Sequence, residues 1–128
     1  MLLRAYLFLK GDGWMSANIG WAKLLGIVLI IVGVLGFFTG NTVLMFGVNT
    51  THNVVHILSG ILLAWAGFGS NGKNAKTTNI TFGMVYLLVA ILGFAGISIV
   101  TDLLALNAAD NWLHLTIGLV TTAIGLWG

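Results

Sequence analysis

The residues of this sequence whose types and spacing suit chemistry are histidines in a motif that occurs twice. The pattern Asn-x-x-His-x-x-x-Gly spans residues 53–60 and returns at residues 111–118, with His56 and His114 at the two centres. Self-similarity between the halves of a chain indicates one structural unit used twice. We therefore predict a two-helix unit that is repeated.

Each central histidine has an ionisable residue four positions before it. His52 precedes His56, and Asp110 precedes His114. Residues four apart lie on the same face of a helix, so packing of the two units would bring three imidazoles and one carboxylate together. Those groups are ligands that zinc, copper and iron accept. The spacing predicts a metal site formed by these four residues.

The same residues fit two other roles. His56 and His114 alone are suited to ligating chlorophyll or haem above the small residues that follow them. Asn53, Asp110 and Asn111 are good helix N-caps. In that case the histidines would only bond to backbone carbonyls or to each other across a helix interface. The sequence leaves the three alternatives open.

Small residues recur at helical spacing along every apolar segment. In a membrane, such faces let helices approach closely, where packing and weak contacts replace the missing hydrophobic driving force. We predict that these residues pack helix against helix: Gly33, Gly36, Gly40, Gly60, Ala64, Gly67, Gly93, Gly96, Gly118, Thr122 and Gly125.

The composition indicates an integral membrane protein. Of 128 residues, 59% are hydrophobic and 6% charged, whereas soluble domains carry roughly a quarter charged residues. The absence of cysteine excludes thiolate catalysis and cysteine-ligated metals. A net charge of +2 from scattered Lys and Arg forms no basic patch, which excludes a nucleic-acid partner.

Four apolar segments of a length suited to helices predict the fold class. It is an all-α polytopic membrane protein with four transmembrane helices in two parallel two-helix repeats. The second and fourth segments are short for a crossing, so their helices are expected to begin a turn earlier, near Asn49 and Asn107. The segments run approximately over residues 21–38, 53–68, 80–100 and 112–127.

The expected domain organisation has two parts. Residues 1–20 form an N-terminal interfacial extension that ends in a turn at Gly11-Asp12-Gly13, since their apolar run is too short for a span. Residues 21–128 form the transmembrane domain, with repeat one at 21–69 and repeat two at 80–128.

The distribution of basic residues predicts the orientation. All five Lys and Arg lie before the first apolar segment, at its start, or between the second and third segments. The connections over residues 39–52 and 101–111 contain none. By the positive-inside rule, both termini and residues 69–79 lie in the cytoplasm.

The order and doubling of these motifs resemble a known family. Over residues 21–127, the sequence is similar to domain-of-unknown-function family 4383, small four-helix bacterial membrane proteins. The resemblance implies a bacterial inner or photosynthetic membrane, and it implies no activity. The residues that carry it are Gly36, Phe37, Asn53, His56, Gly60, Tyr86, Gly93, Phe94, Asp110, Asn111, His114 and Gly118.

The predicted function is that of a non-enzymatic membrane protein. Short connections and glycine-lined faces favour a small helix-packing or accessory subunit of a larger membrane complex, photosynthetic or respiratory, in contact with lipid, other subunits or itself. The alternative is a histidine-ligated cofactor protein that binds chlorophyll, haem or a metal. Enzymatic activity is not expected, because no nucleophile with an adjacent base stands apart from the histidines.

Overall fold

A computed structural model describes residues 1–3 and 12–128 of the chain. Of the predicted interfacial extension, residues 4–11 lie outside the described residues, and residues 12–20 belong to the first helix. The turn predicted at its end is not found in its described part, because Asp12 already begins the first helix. Helices in the described part are α1 (Asp12–Gly36), α2 (Thr50–Phe68), α3 (Ala75–Phe94), α4 (Ser98–Leu103) and α5 (Ala108–Trp127).

Within the described residues, three helices are long and apolar enough to cross a membrane: Ala17–Gly36, Thr50–Phe68 and Ala75–Phe94. These helices indicate a membrane protein. The fourth predicted span, α5, has 20 residues but is not among them. Its first two turns carry Asp110, Asn111 and His114, which lower its mean hydropathy.

Asparagine side chains fix where α2 and α5 begin, at the positions that the sequence predicts. The Asn49 side chain accepts a hydrogen bond from the His52 backbone N–H, and Asn107 accepts one from the Asp110 backbone N–H. The Asp110 side chain in turn accepts a hydrogen bond from the Asn107 backbone N–H, which completes a capping box. These caps satisfy backbone donors that the first turn of a helix leaves without partners.

The helix α3 ends at Phe94, six residues before the predicted end of the third segment. Gly96 has φ +68°, and the Ile97 N–H donates to the Leu92 carbonyl at 3.1 Å. This is the pattern of a helix that stops at a glycine in the left-handed conformation. The short helix α4 follows at once.

A two-stranded hairpin that the sequence does not predict joins α1 to α2. Its strands, β1 (Thr42–Val43) and β2 (Phe46–Gly47), are antiparallel, with Val43 opposite Phe46. Leu44 in the two-residue turn has φ +53°, an uncommon conformation for a side chain of this size. A 3-10 helix, Ser70–Gly72, joins α2 to α3.

The helices pack mainly in two antiparallel pairs, α1 with α2 and α3 with α5. We call the end of the bundle where α2 and α5 begin the histidine end. The opposite end, which carries Lys23, Lys73 and Lys76, is the lysine end. At the lysine end the Asn79 amide nitrogen donates to the Asn18 carbonyl at 3.0 Å and to the Asn18 side-chain oxygen at 2.9 Å.

The bundle has an apolar exterior and an interior rich in polar side chains. Large hydrophobic residues on every long helix are exposed, while Leu25, Leu29 and Leu63 form part of a small buried core. Soluble proteins rarely expose apolar surface on this scale, whereas a lipid bilayer accepts it. The buried polar side chains are Asn18, His52, Asn53, His56, Asn79, Asp110, Asn111, His114, Thr121 and Thr122.

Candidate functional site

The three histidines meet inside the bundle at the histidine end. His52 and His56 lie one turn apart near the start of α2, and His114 faces them from α5. The exposed fractions of these side chains are 2%, 9% and 4%. One ring nitrogen from each lies within 4.8 Å of the other two. The sequence therefore predicted correctly that these imidazoles converge.

The rings face each other and do not face lipid. The His52 ring centroid lies 4.3 Å from that of His56 and 5.7 Å from that of His114. The Tyr86 ring of α3 lies 5.5 Å from the His114 ring. Beside these rings is a cavity of about 50 Å³ between α2 and α3, lined further by apolar side chains such as Val55 and Val89.

Four of the imidazole nitrogens have no hydrogen-bond partner among the described residues. They are both ring nitrogens of His52 and the Nδ1 atoms of His56 and His114. Asp110 acts electrostatically on the His52 ring, and the backbone of Leu104 and Gly47 lies near enough for weak hydrogen bonds, but no contact with this ring has normal hydrogen-bond geometry. Buried polar groups usually have partners, so these four nitrogens require an explanation.

The fourth predicted ligand, Asp110, has a different set of contacts. Its Oδ2 atom accepts the Gly47 backbone N–H at 3.0 Å and the Asn107 backbone N–H at 2.9 Å. The carboxylate thus fastens the hairpin to the start of α5. Asp110 does not belong to the cluster of possible metal-ligand atoms within 4.8 Å of one another, which His52, His56 and His114 form.

Two asparagines link the connections that close the histidine end. The Asn49 Nδ2 atom, in the first connection, donates to the Leu103 carbonyl at 2.9 Å. In return, the Asn107 Nδ2 atom donates to the Met45 carbonyl in the hairpin at 3.0 Å. Together with Asp110, they hold both connections over the histidines.

Asn53 and Asn111, predicted as helix caps, lie inside the helices. Since the caps are Asn49 and Asn107, each of these asparagines begins the second turn and is buried. The Asn53 side chain lies directly against Gly36, and the Asn111 side chain lies against Gly93. A side-chain cap requires a residue before the first turn, so the prediction for this pair was wrong.

Most of the predicted small residues lie against a neighbouring helix. A Cβ on Gly60 would lie 2.6 Å from the Gly26 carbonyl oxygen, and one on Gly118 would lie 2.9 Å from the Leu87 side chain. Gly26 is a contact residue that we did not predict, although the same periodic signal contains it. The other predicted positions at such close contacts are Gly33, Gly36, Ala64, Gly67, Gly93, Thr122 and Gly125.

Gly40 and Gly96 do not pack against another helix, contrary to the prediction. Both follow the end of their helix with positive φ, +81° and +68°, and no described atom lies within 4 Å of where a Cβ would stand. Spacing alone does not distinguish a packing glycine from one that ends a helix.

Comparison with known proteins confirms the family resemblance. The family described as Domain of unknown function (DUF4383) matches residues 21–127. No curated protein and no solved structure matches the chain.

Proposed function

The chain belongs to this family, whose description gives no activity, and from that premise we propose that it is a non-enzymatic, helix-packing accessory subunit of a larger membrane complex. Respiratory and photosynthetic complexes of a bacterial membrane are the assemblies that fit such a subunit. The observation that carries the proposal is an apolar surface that extends beyond the helix ends.

That surface lies in the connection between α1 and α2. Leu44 and Met45 at the hairpin turn are 86% and 69% exposed, and Phe38 just after α1 is 82% exposed. Connections usually carry polar side chains, and exposed apolar patches often mark sites of association. A neighbouring membrane subunit that packs against this connection would bury all three.

The proposed subunit crosses the bilayer four times. The helix α5 is as long as α3, packs along it, and buries the polar side chains that reduce its hydropathy. Buried polar residues do not meet lipid, which supports a fourth span. By the positive-inside rule, the lysines support an orientation with the lysine end and both termini in the cytoplasm.

We also propose that the two halves are copies of one two-helix unit. In each half a glycine near the end of the first helix contacts an asparagine in the second, Gly36 with Asn53 and Gly93 with Asn111. The caps Asn49 and Asn107, which each reach across to the other connection, support the same duplication.

Purification from the native membrane in mild detergent, followed by mass spectrometry of cross-linked partners, tests the accessory role. We expect a stoichiometric membrane partner that is lost in the double variant Phe38→Ser, Leu44→Asn while the bundle stays folded. Leu103→Asn is the matched control, because this exposed side chain lies at the same end in the other connection. Partner retention in the double variant would contradict the proposal.

A second candidate function is supported by the unpartnered histidine nitrogens. Histidines that only brace the bundle would be hydrogen-bonded, whereas histidines that hold a cofactor keep their nitrogens available. An absorption spectrum together with metal analysis of the native protein tests this candidate, because chlorophyll and haem absorb strongly in the visible range.

A further inference from the structure

We propose that His52, His56 and His114 bind a single first-row transition-metal ion. The inference rests on the second candidate function and names its ligand. It does not depend on the accessory role, because the site lies inside one chain.

The three histidine donors lie at fixed positions on packed helices. His52 and His56 lie in the first two turns of α2, whose start is capped by Asn49. His114 lies in the second turn of α5. In a zinc site with bonds of about 2.0–2.1 Å and tetrahedral angles, ligand nitrogens are roughly 3.3 Å apart. Metal binding requires the observed separations of up to 4.8 Å to shorten to this value through rotation of the imidazole rings.

A bound ligand would explain why the three imidazoles are buried without hydrogen-bond partners for all their nitrogens. Each of the three side chains is more than nine-tenths buried, and each has at least one ring nitrogen without a hydrogen-bond partner among the described residues. A neutral imidazole has one N–H and one nitrogen with a free lone pair, so each of the three rings offers one donor to a metal ion. A bound cation satisfies one nitrogen of each ring.

The Asp110 carboxylate lies near the proposed cation and has the opposite charge. A cation held by three neutral imidazoles brings net positive charge into a low-dielectric interior. Asp110 is 2% exposed and acts electrostatically on His52, and the lysines lie at the opposite end of the bundle. The carboxylate offsets the charge and holds the surrounding loops, as outer-sphere carboxylates do in metal sites.

The small cavity and the imidazole donors favour a metal ion over an organic ligand. The cavity beside the rings holds about 50 Å³, whereas pockets for organic ligands have roughly 300 Å³ or more. A tetrapyrrole does not fit inside that cavity. Imidazole donors favour zinc, copper and neighbouring ions over the oxygen-seeking Mg²⁺ and Ca²⁺. The cavity side leaves a fourth coordination position open.

Metal loading of the purified full chain tests the proposal. Protein stripped with EDTA is titrated with Zn²⁺, Cu²⁺ and Co²⁺, and bound metal is counted after gel filtration. We expect one ion per chain and, with Co²⁺, the visible absorption bands of a four-coordinate site. His56→Leu and His114→Leu should weaken binding by more than about 100-fold, since changes outside the ligand sphere alone cost about 10- to 100-fold.

Thr122→Val is the matched control. Its hydroxyl is also buried without a partner among the described residues and lies on α5 two turns beyond His114, so this variant should bind metal like the wild type. If a histidine variant does not fold, the Co²⁺ spectrum of the wild type and a metal-dependent rise in its melting temperature decide.

Folded wild type that takes up none of the three ions at one per chain would overturn the proposal. So would histidine variants that bind as tightly as the wild type, or an isolated chain, free of other subunits, whose tetrapyrrole absorption bands are lost in His56→Leu and His114→Leu. A protein that keeps its membrane partner but binds no metal refutes this inference alone. Conversely, a metal-loaded protein without any partner refutes the accessory role alone.

Discussion

The Asp110 carboxylate of α5 accepts the backbone N–H of Gly47 at 3.0 Å and so joins the hairpin to a helix 63 residues further along the chain. The same Oδ2 atom accepts the Asn107 N–H at 2.9 Å. Hydrogen bonds to an ionised acceptor are stronger than those between neutral groups. This buried oxygen therefore helps to keep the histidine end closed, together with the bonds from Asn49 and Asn107.

Replacing Asp110 with Asn should lower the free energy of unfolding by about 1–3 kcal/mol, because the two backbone donors that share its Oδ2 atom both lose a charged acceptor. The measurement is thermal or SDS denaturation in detergent, with hydrogen exchange at the Gly47 amide as the local readout. Asp102→Asn is the control, since Asp102 is exposed on α4. Unchanged protection at Gly47 in Asp110→Asn would show that this bond does not hold the hairpin.

Replacing Gly93 with Ala should destabilise the contact between α3 and α5. The added Cβ would overlap the Asn111 side chain, and overpacking costs about 1–3 kcal/mol. Gly20→Ala is the control, because a Cβ there meets no described atom within 4 Å. It should be neutral or raise stability by up to about 1 kcal/mol through helix propensity. Equal stabilities of the two variants in a detergent melt would contradict this packing.

Replacing Leu44 with Asn should stabilise the isolated protein in detergent. Leu44 has φ +53°, a conformation that costs an ordinary side chain about 1–2 kcal/mol and that Asn adopts more readily. We expect a rise in the free energy of unfolding of up to about 1 kcal/mol. Met45→Asn, at the neighbouring exposed position, should give no such rise because Met45 is not at positive φ. A lower melting temperature for Leu44→Asn alone would oppose the strain argument.

The four-span topology is testable because the chain contains no cysteine. Single cysteines at Asn71 and Gly128 should react with a membrane-impermeant maleimide only from the cytoplasmic side. Those at Asn41 and Asp102 should react only from the opposite side. If α5 does not cross the membrane, Gly128 will react from the same side as Asp102, and the proposed fourth span is then wrong.

Sequence reasoning found the residues that follow from periodicity and missed those that depend on a partner distant in the chain. The starts of α2 and α5 and the meeting of His52, His56 and His114 follow from caps and from helical spacing. The roles of Asn53 and Asn111 do not, because each is set by a glycine on another helix.

The remaining errors have local causes that the sequence does not reveal. Gly96 continues a stripe of small residues, and only its positive φ shows that α3 has ended before it. The hairpin turn Leu44-Met45 lacks the glycine or asparagine that signals a two-residue turn. The hairpin is held by a contact from another part of the fold, the bond from Asn107 to Met45.

Replacing His52 with Leu should change stability in opposite directions without and with metal. Neither ring nitrogen of His52 has a hydrogen-bond partner among the described residues, and such burial costs about 1–3 kcal/mol. In EDTA, His52→Leu should therefore be at least as stable as the wild type. With excess Zn²⁺, only the wild type should gain stability, by about 2.7 kcal/mol at one hundred times its dissociation constant. Melting curves of both proteins in both conditions test this, and a variant less stable in EDTA would mean that His52 supports the fold itself.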